Sequence, residues 1–212
     1  MGVVAAHAIV RPHDLLRVHH NDESATDAPL WAIQALTQTP WVVVRRGQAS
    51  PGRLPVGVRG TTRGQRWGTT IPISSVAERL TPEQLTDRIN TLSPNTPAAV
   101  ALSELHTRLR TLPLRWGPTG SAGFQLASGL PTLQASSDLD IVIRASSQIS
   151  VLPLVHESLK NLPTHVDTQV DFGFGAVALA ELLSGISDVL MKTVAGPTLI
   201  PIAQLMDTWS HR

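Results

Sequence analysis

Asp138 and Asp140 flank one leucine just ahead of the apolar run Ile141-Val142-Ile143. Side chains alternate along a strand, so the two carboxylates are expected on one side and Leu139 and Ile141 on the other. Carboxylates held that close repel each other unless a cation sits between them, and hard oxygen ligands suit magnesium. Mg2+ held by one or two carboxylates and completed by substrate phosphates is the usual arrangement for phosphoryl and nucleotidyl transfer. A third acid is available from His165-Val166-Asp167-Thr168-Gln169-Val170-Asp171, in which Asp167, Gln169 and Asp171 share a face. If this strand lies beside the first, Asp167 can join the metal set of Asp138 and Asp140, or act as base toward an incoming hydroxyl. Asp171 competes for that role.

Phosphate chemistry also needs donors. Gly120-Ser121 reads as a turn whose backbone approaches a phosphate closely and whose N–H groups and hydroxyl hold its oxygens. Arg59, Arg63 and Arg66 fall on one short glycine-containing loop, and guanidinium forks match phosphate oxygens bidentately. Lys192, Arg144 and the pair Arg45-Arg46 are further cations for this purpose. The histidines at 7, 13, 19 and 20 have no spacing of a helical zinc pair. His13-Asp14, after Pro12, reads either as a first-turn cap or as a functional contact.

The elements that must position these groups read as an α+β fold. A small β-rich N-terminal module over residues 1–78 contains strands at Trp41–Arg46 and Leu54–Arg59 around a Gly/Pro/Ser turn. Residues 79–212 read as a catalytic domain with a mixed sheet flanked by helices. Its first helix is punctuated by Thr81 as cap, Pro82 at the first position, Gln84 closing a capping box and Leu80 stapled to Leu85. Leu85, Ile89 and Leu92 continue its apolar face. A second helix carries Leu102, Leu105, Leu109 and Leu112 at helical spacing. Beyond the Asp138–Arg144 strand, helices are expected over Val151–Leu162 and Gly175–Leu183, a strand over Thr164–Phe172, and short strands at Val189–Lys192 and Thr198–Ile200.

Composition narrows the alternatives. The 212 residues carry a net charge of +1 and are 42% apolar and 16% charged, which suits a globular chain and neither a disordered acidic tail nor a nucleic-acid coat. There is no Cys, so disulfides, thiolate zinc sites and thiol nucleophiles are excluded. The N-terminus lacks the basic region and sustained apolar run of a signal peptide, and no stretch approaches the roughly 18 apolar residues of a membrane helix. The expected location is cytoplasmic.

The strings Arg11-Pro12-His13-Asp14-Leu15-Leu16, Val56-Gly57-Val58-Arg59-Gly60, Trp116-Gly117-Pro118-Thr119-Gly120-Ser121-Ala122-Gly123-Phe124-Gln125-Leu126-Ala127-Ser128-Gly129, Ser137-Asp138-Leu139-Asp140 and Val166-Asp167-Thr168-Gln169 occur in that order. Together they resemble the malonate decarboxylase holo-acyl-carrier-protein synthases, the phosphoribosyl-dephospho-CoA transferases of the nucleotidyltransferase superfamily. The resemblance implies 2′-(5″-triphosphoribosyl)-3′-dephospho-CoA as donor, a serine of the apo acyl-carrier subunit of malonate decarboxylase as acceptor, and pyrophosphate as leaving group. By the same match Asp138 and Asp140 are the catalytic pair. The pattern departs from the family's at Ala122, Gln125 and Ser128, where the resemblance implies Val, Glu and Thr. Competing readings are another nucleotidyltransferase-fold enzyme, of the citrate lyase carrier type or with a small acceptor, and a catalytically silent nucleotide or protein binder. Nucleic acid and membrane are not expected partners.

Overall fold

The computed structural model describes residues 9–19, 27–62, 64–145 and 149–211. Arg63, His7 and His20 lie outside them. Alternating valines build the first sheet. Strands β1 (Leu15–Val18), β2 (Trp41–Val44), β3 (Arg53–Arg59), β4 (Arg66–Pro72) and β5 (Val76–Leu80) pair in the order β4-β3-β2-β1-β5, antiparallel throughout. Leu16, Val42, Val44, Val56 and Val58 turn to one face and bury Ala32 of helix α1 (Leu30–Gln38). Leu15, Trp41 and Leu80 turn to the other face and enter the main core, as the two-residue period of a strand requires.

After β5 the Thr81 hydroxyl accepts from the Gln84 N–H at 3.3 Å, and Gln84 Oε1 accepts from the Thr81 N–H at 2.9 Å. This capping box starts helix α2, which is a single turn (Pro82–Leu85), and the chain continues as a 3-10 helix over Thr86–Thr91. Helix α3 (Pro97–Leu109) buries Leu102, Leu105 and Leu109, and Leu112 packs on the core from beyond its end. Next come β6 (Arg115–Pro118), α4 (Gly120–Ser128), β7 (Leu139–Arg144), α5 (Leu152–Ser158), β8 (Val166–Asp171), β9 (Gly175–Ala178), α6 (Leu179–Leu183), β10 (Asp188–Thr193), β11 (Gly196–Pro201) and α7 (Ile202–Ser210). The second sheet runs β11-β10-β9-β8-β7-β6. Only β7 and β8 are parallel, so the sheet is mixed and the fold is α+β, as expected.

One expectation is corrected here. Gly175–Ala178 is strand, and only Leu179–Leu183 is helical. Pairing of β9 with β8 and β10 on its two sides overrides local helix preference. Gly175 suits that place because a Cβ there would stand 2.6 Å from Met191 Cγ.

A buried ion cluster fastens the two sheets together. Arg144, 5% exposed, donates to Asp171, to Glu83 Oε1 at 3.1 Å and to the Pro12 carbonyl at 3.2 Å. Asp171 also accepts from Arg46 at 3.0 Å. Asp14 is fully buried and accepts from Arg79 Nε at 2.8 Å and from the Arg11 N–H at 2.9 Å. Asp14 is therefore neither a helix cap nor a cleft residue. Burial pushes its carboxyl up. In Glu83 and Asp171 the same desolvation is outweighed by the guanidinium groups, which hold both carboxyls below their ordinary values.

Candidate active site

Register places the acids. In the parallel pair β7–β8, Asp140 stands opposite Asp167, Val142 opposite Gln169 and Arg144 opposite Asp171. Asp140 and Asp167 therefore share a face at the start of both strands, while Asp171 lies four residues further on, inside the ion cluster. Asp140, Asp167 and Gln169 line a cavity of about 460 Å³ between the two sheets. Asp138 precedes β7, is exposed, and lines an adjoining cavity of about 240 Å³ with Asp140, Gly120 and Ser121. Arg59 and Arg66 border both cavities.

Gly120 and Ser121 are not an isolated turn. They open α4, with Thr119 as N-cap, and the Thr119 N–H donates to the Asp140 carbonyl at 2.8 Å. The first N–H groups of a helix have no intrahelical acceptor and carry the positive end of its dipole, so they suit an anion. Gly120 has φ +54°, and a Cβ built on it would collide with the Asp140 carboxylate. Glycine is required twice, for the left-handed backbone and for the space.

Arg59 and Arg66 are register partners across the β3–β4 hairpin. The Arg59 guanidinium lies 5.9 Å from the centre of the Phe124 ring of α4. Burial and neighbouring Arg66 pull its pKa down to about 10, with Asp140 opposing them, so it stays charged at neutral pH. Two adjacent guanidinium groups repel, and an anion between them relieves the repulsion.

The cleft extends past Gln169 into a third cavity of about 340 Å³, lined by His13, Arg45, Arg46, Gln169 and Lys192 among others. Lys192 thus lies with Arg45 and Arg46, apart from Arg59 and Arg66. His13 borders this cavity and the main one. Its φ of +75° is unusual for a side chain with a Cβ. Burial, followed by Arg46 and Arg144, lowers its pKa to about 4, so the ring is neutral at pH 7. Nothing in the sequence around His13 announces the left-handed backbone.

The departures at Ala122, Gln125 and Ser128 border none of the three cavities. Gln125 Oε1 accepts from the N–H groups of Thr132 and Leu133 at 2.8 and 2.9 Å, and Ser128 Oγ donates to the Phe124 carbonyl at 2.7 Å. Gln125 thereby anchors the segment that leads to Asp138. None of the three residues faces the cleft.

Among the described residues no three acidic or histidine side chains enclose a metal ion by themselves. The donor set at the cleft mouth is made of hard carboxylate oxygens, with Asp138 and Asp140 bordering the same cavity. That fits a cation which takes part of its coordination from substrate phosphates.

Acids on a parallel strand pair beside a helix start, in a cleft between two sheets, suit a transferase of the nucleotidyltransferase type. Comparison with known proteins narrows the class. Residues 84–203 match the family described as the phosphoribosyl-dephospho-CoA transferase MdcG C-terminal domain, and residues 11–82 match the corresponding N-terminal domain. The chain belongs to this family. It is 38% identical over 192 residues to the phosphoribosyl-dephospho-CoA transferase of Pseudomonas aeruginosa, covering 89% of this chain and 91% of that one. It is likewise 38% identical to those of Azotobacter vinelandii (90% and 92% covered) and Klebsiella pneumoniae (91% and 95% covered). No solved structure matches. Among the described residues no helix is long and apolar enough to cross a membrane.

Proposed function

We propose that this chain transfers the 5″-phosphoribosyl-3′-dephospho-CoA group from 2′-(5″-triphosphoribosyl)-3′-dephospho-CoA to a serine of the apo acyl-carrier subunit of malonate decarboxylase. The observation that carries the reading is Asp140 set in register with Asp167, in a cleft bordered by Arg59, Arg66 and the first turn of α4. Family membership and the relatives' names support a phosphoribosyl-dephospho-CoA group as the group transferred; the triphosphate donor and the carrier serine are this reading's own extension of it. A CoA-derived donor supports a cytoplasmic location. The division into an N-terminal module (1–78) and a catalytic domain (79–212) is supported by the presence of two separate sheets.

In this reading Arg59 and Arg66 bind triphosphate oxygens bidentately, and the N–H groups opening α4, with the Ser121 hydroxyl, hold the phosphate nearest Asp140. Asp138 and Asp140, with Asp167 beside them, would hold Mg2+. When bound, the ion offsets charge on the triphosphate and on the departing pyrophosphate. The carrier serine oxygen attacks the phosphorus next to the ribose, and the bond from that phosphorus to the bridging oxygen of pyrophosphate breaks. Asp167 accepts the serine proton. Holding nucleophile and phosphorus in line supplies much of the acceleration.

The test is intact mass of the apo carrier subunits of malonate decarboxylase and citrate lyase, offered together with donor, Mg2+ and this protein. The expected result is a gain on the malonate decarboxylase carrier equal to donor minus pyrophosphate, lost on adding a chelator. No gain on either carrier, or preference for the citrate lyase carrier, contradicts the reading.

A further inference from the structure

Beyond Arg59 and Arg66 beside Asp140, further cations face the cleft. Arg45 lies where the main and third cavities meet, since both are bordered by His13, Val43, Arg45 and Gln169. Its side chain crosses Gly57 and Gly68, which are paired across β3 and β4. A Cβ on Gly57 would stand 3.1 Å from Arg45 Cδ, and one on Gly68 would overlap its guanidinium. Two facing glycines in a sheet otherwise rich in β-branched residues thus make a bed for this one side chain. Lys192, on β10, reaches the same cavity from the other sheet. Among the described residues neither Arg45 nor Lys192 makes an ion pair, although Arg46 next door is held by Asp171. Unpaired cations from two sheets facing one cavity suit a dianion far better than each other.

The chemistry of the donor supplies such a group. Dephospho-CoA contains a diphosphate joining its adenosine to pantetheine, separate from the triphosphate on the added ribose. We infer that the third cavity is a second phosphate subsite, in which Arg45 and Lys192 bind the diphosphate of the dephospho-CoA portion, with Gln169 and His13 between it and the reaction centre. The nucleoside then spans the main cavity along Val43, Val58 and Trp67. This assignment rests on the proposed function for its ligand, and on the paired glycines and the unpaired cations for its place.

Binding of two partial ligands to the full chain separates the subsites. Dephospho-CoA has the diphosphate and no triphosphate, and inorganic tripolyphosphate is the converse. Titration calorimetry on wild type, Arg45→Ala, Lys192→Ala, Gly68→Ala and Arg59→Ala reads both, with thermal unfolding as a check on folding. Arg45→Ala and Lys192→Ala are each expected to weaken dephospho-CoA by about tenfold, as for loss of one charge-assisted contact, and to leave tripolyphosphate unchanged. Gly68→Ala is expected to reproduce the Arg45→Ala effect, because only the flexible end of Arg45 must move. Arg59→Ala is expected to show the opposite split. Equal weakening of both ligands, weakening of tripolyphosphate alone, or no binding of dephospho-CoA to wild type overturns the assignment. Carrier modification is measured on the same wild-type sample. Transfer without the split removes the subsite alone, whereas the split without transfer keeps the subsite and removes the proposed reaction.

Discussion

The Asp140 carboxylate occupies the place where a side chain on Gly120 would begin. The acid and the helix start are therefore built as one unit, tied again by the Thr119 N–H to the Asp140 carbonyl. Gly120→Ala is expected to reduce transfer by at least about 100-fold, because a misplacement of 1 Å at a reacting group costs that much. The left-handed backbone adds only about 1–2 kcal/mol of destabilisation. Steady-state kinetics alongside denaturant unfolding checks this. A variant that loses stability and keeps its rate would contradict the coupling.

Asp167 and Asp171 separate by role. Asp167→Asn is expected to abolish transfer and to change unfolding free energy by no more than about 0.5 kcal/mol, as at a site outside the ion cluster. Asp171→Asn leaves Arg144 and Arg46 without their shared counter-charge, and breaking a buried pair costs about 3–5 kcal/mol. Urea unfolding of both variants, read with activity, tests the assignment. The reverse pattern would make Asp171 the third acid.

His13 sets an acid limit on stability. Its folded pKa is about 4 against an ordinary 6.5. Between those values the unfolded ring takes up a proton and the folded ring does not, so stability falls as pH drops through that window. The loss amounts to at most about 3 kcal/mol. His13→Asn, which tolerates a positive φ, is expected to flatten the unfolding free energy between pH 6.5 and 4. Asp171 and Glu83 act at lower pH, and the raised Asp14 carboxyl acts in the opposite sense. The Asp171 and Glu83 carboxyls are held below the ordinary range, and their share is lost as pH falls through those depressed values. An unchanged slope in His13→Asn would contradict the burial argument.

The acids could be read from sequence because strand alternation acts over a few residues. Placing Asp140 beside Asp167 needed only an apolar run and a second Asp-bearing strand, whereas Asp138 lies ahead of β7. The capping box at Thr81 was legible for the same reason, as was the mixed sheet of the second half. The ion cluster was not, since Asp14 meets Arg79 and Arg144 across 65 and 130 residues of chain, and nothing local marks such partners. Gly120-Ser121 reads as a turn because glycine rarely opens a nine-residue helix; here Asp140 dictates it. Gly175–Ala178 reads as helix because its small residues carry no strand signal until β8 and β10 flank them. The glycine bed under Arg45 is visible only once β3 and β4 are in register.

The central claim is that Asp140 stands at the reacting centre. It is tested most directly by single-turnover transfer with Asp140→Asn, reading the intact mass of the apo malonate decarboxylase carrier over time at saturating donor and Mg2+. The account predicts a rate at least about 1,000-fold below wild type, with an unchanged unfolding transition. A folded Asp140→Asn protein that modifies the carrier within about tenfold of the wild-type rate would contradict it.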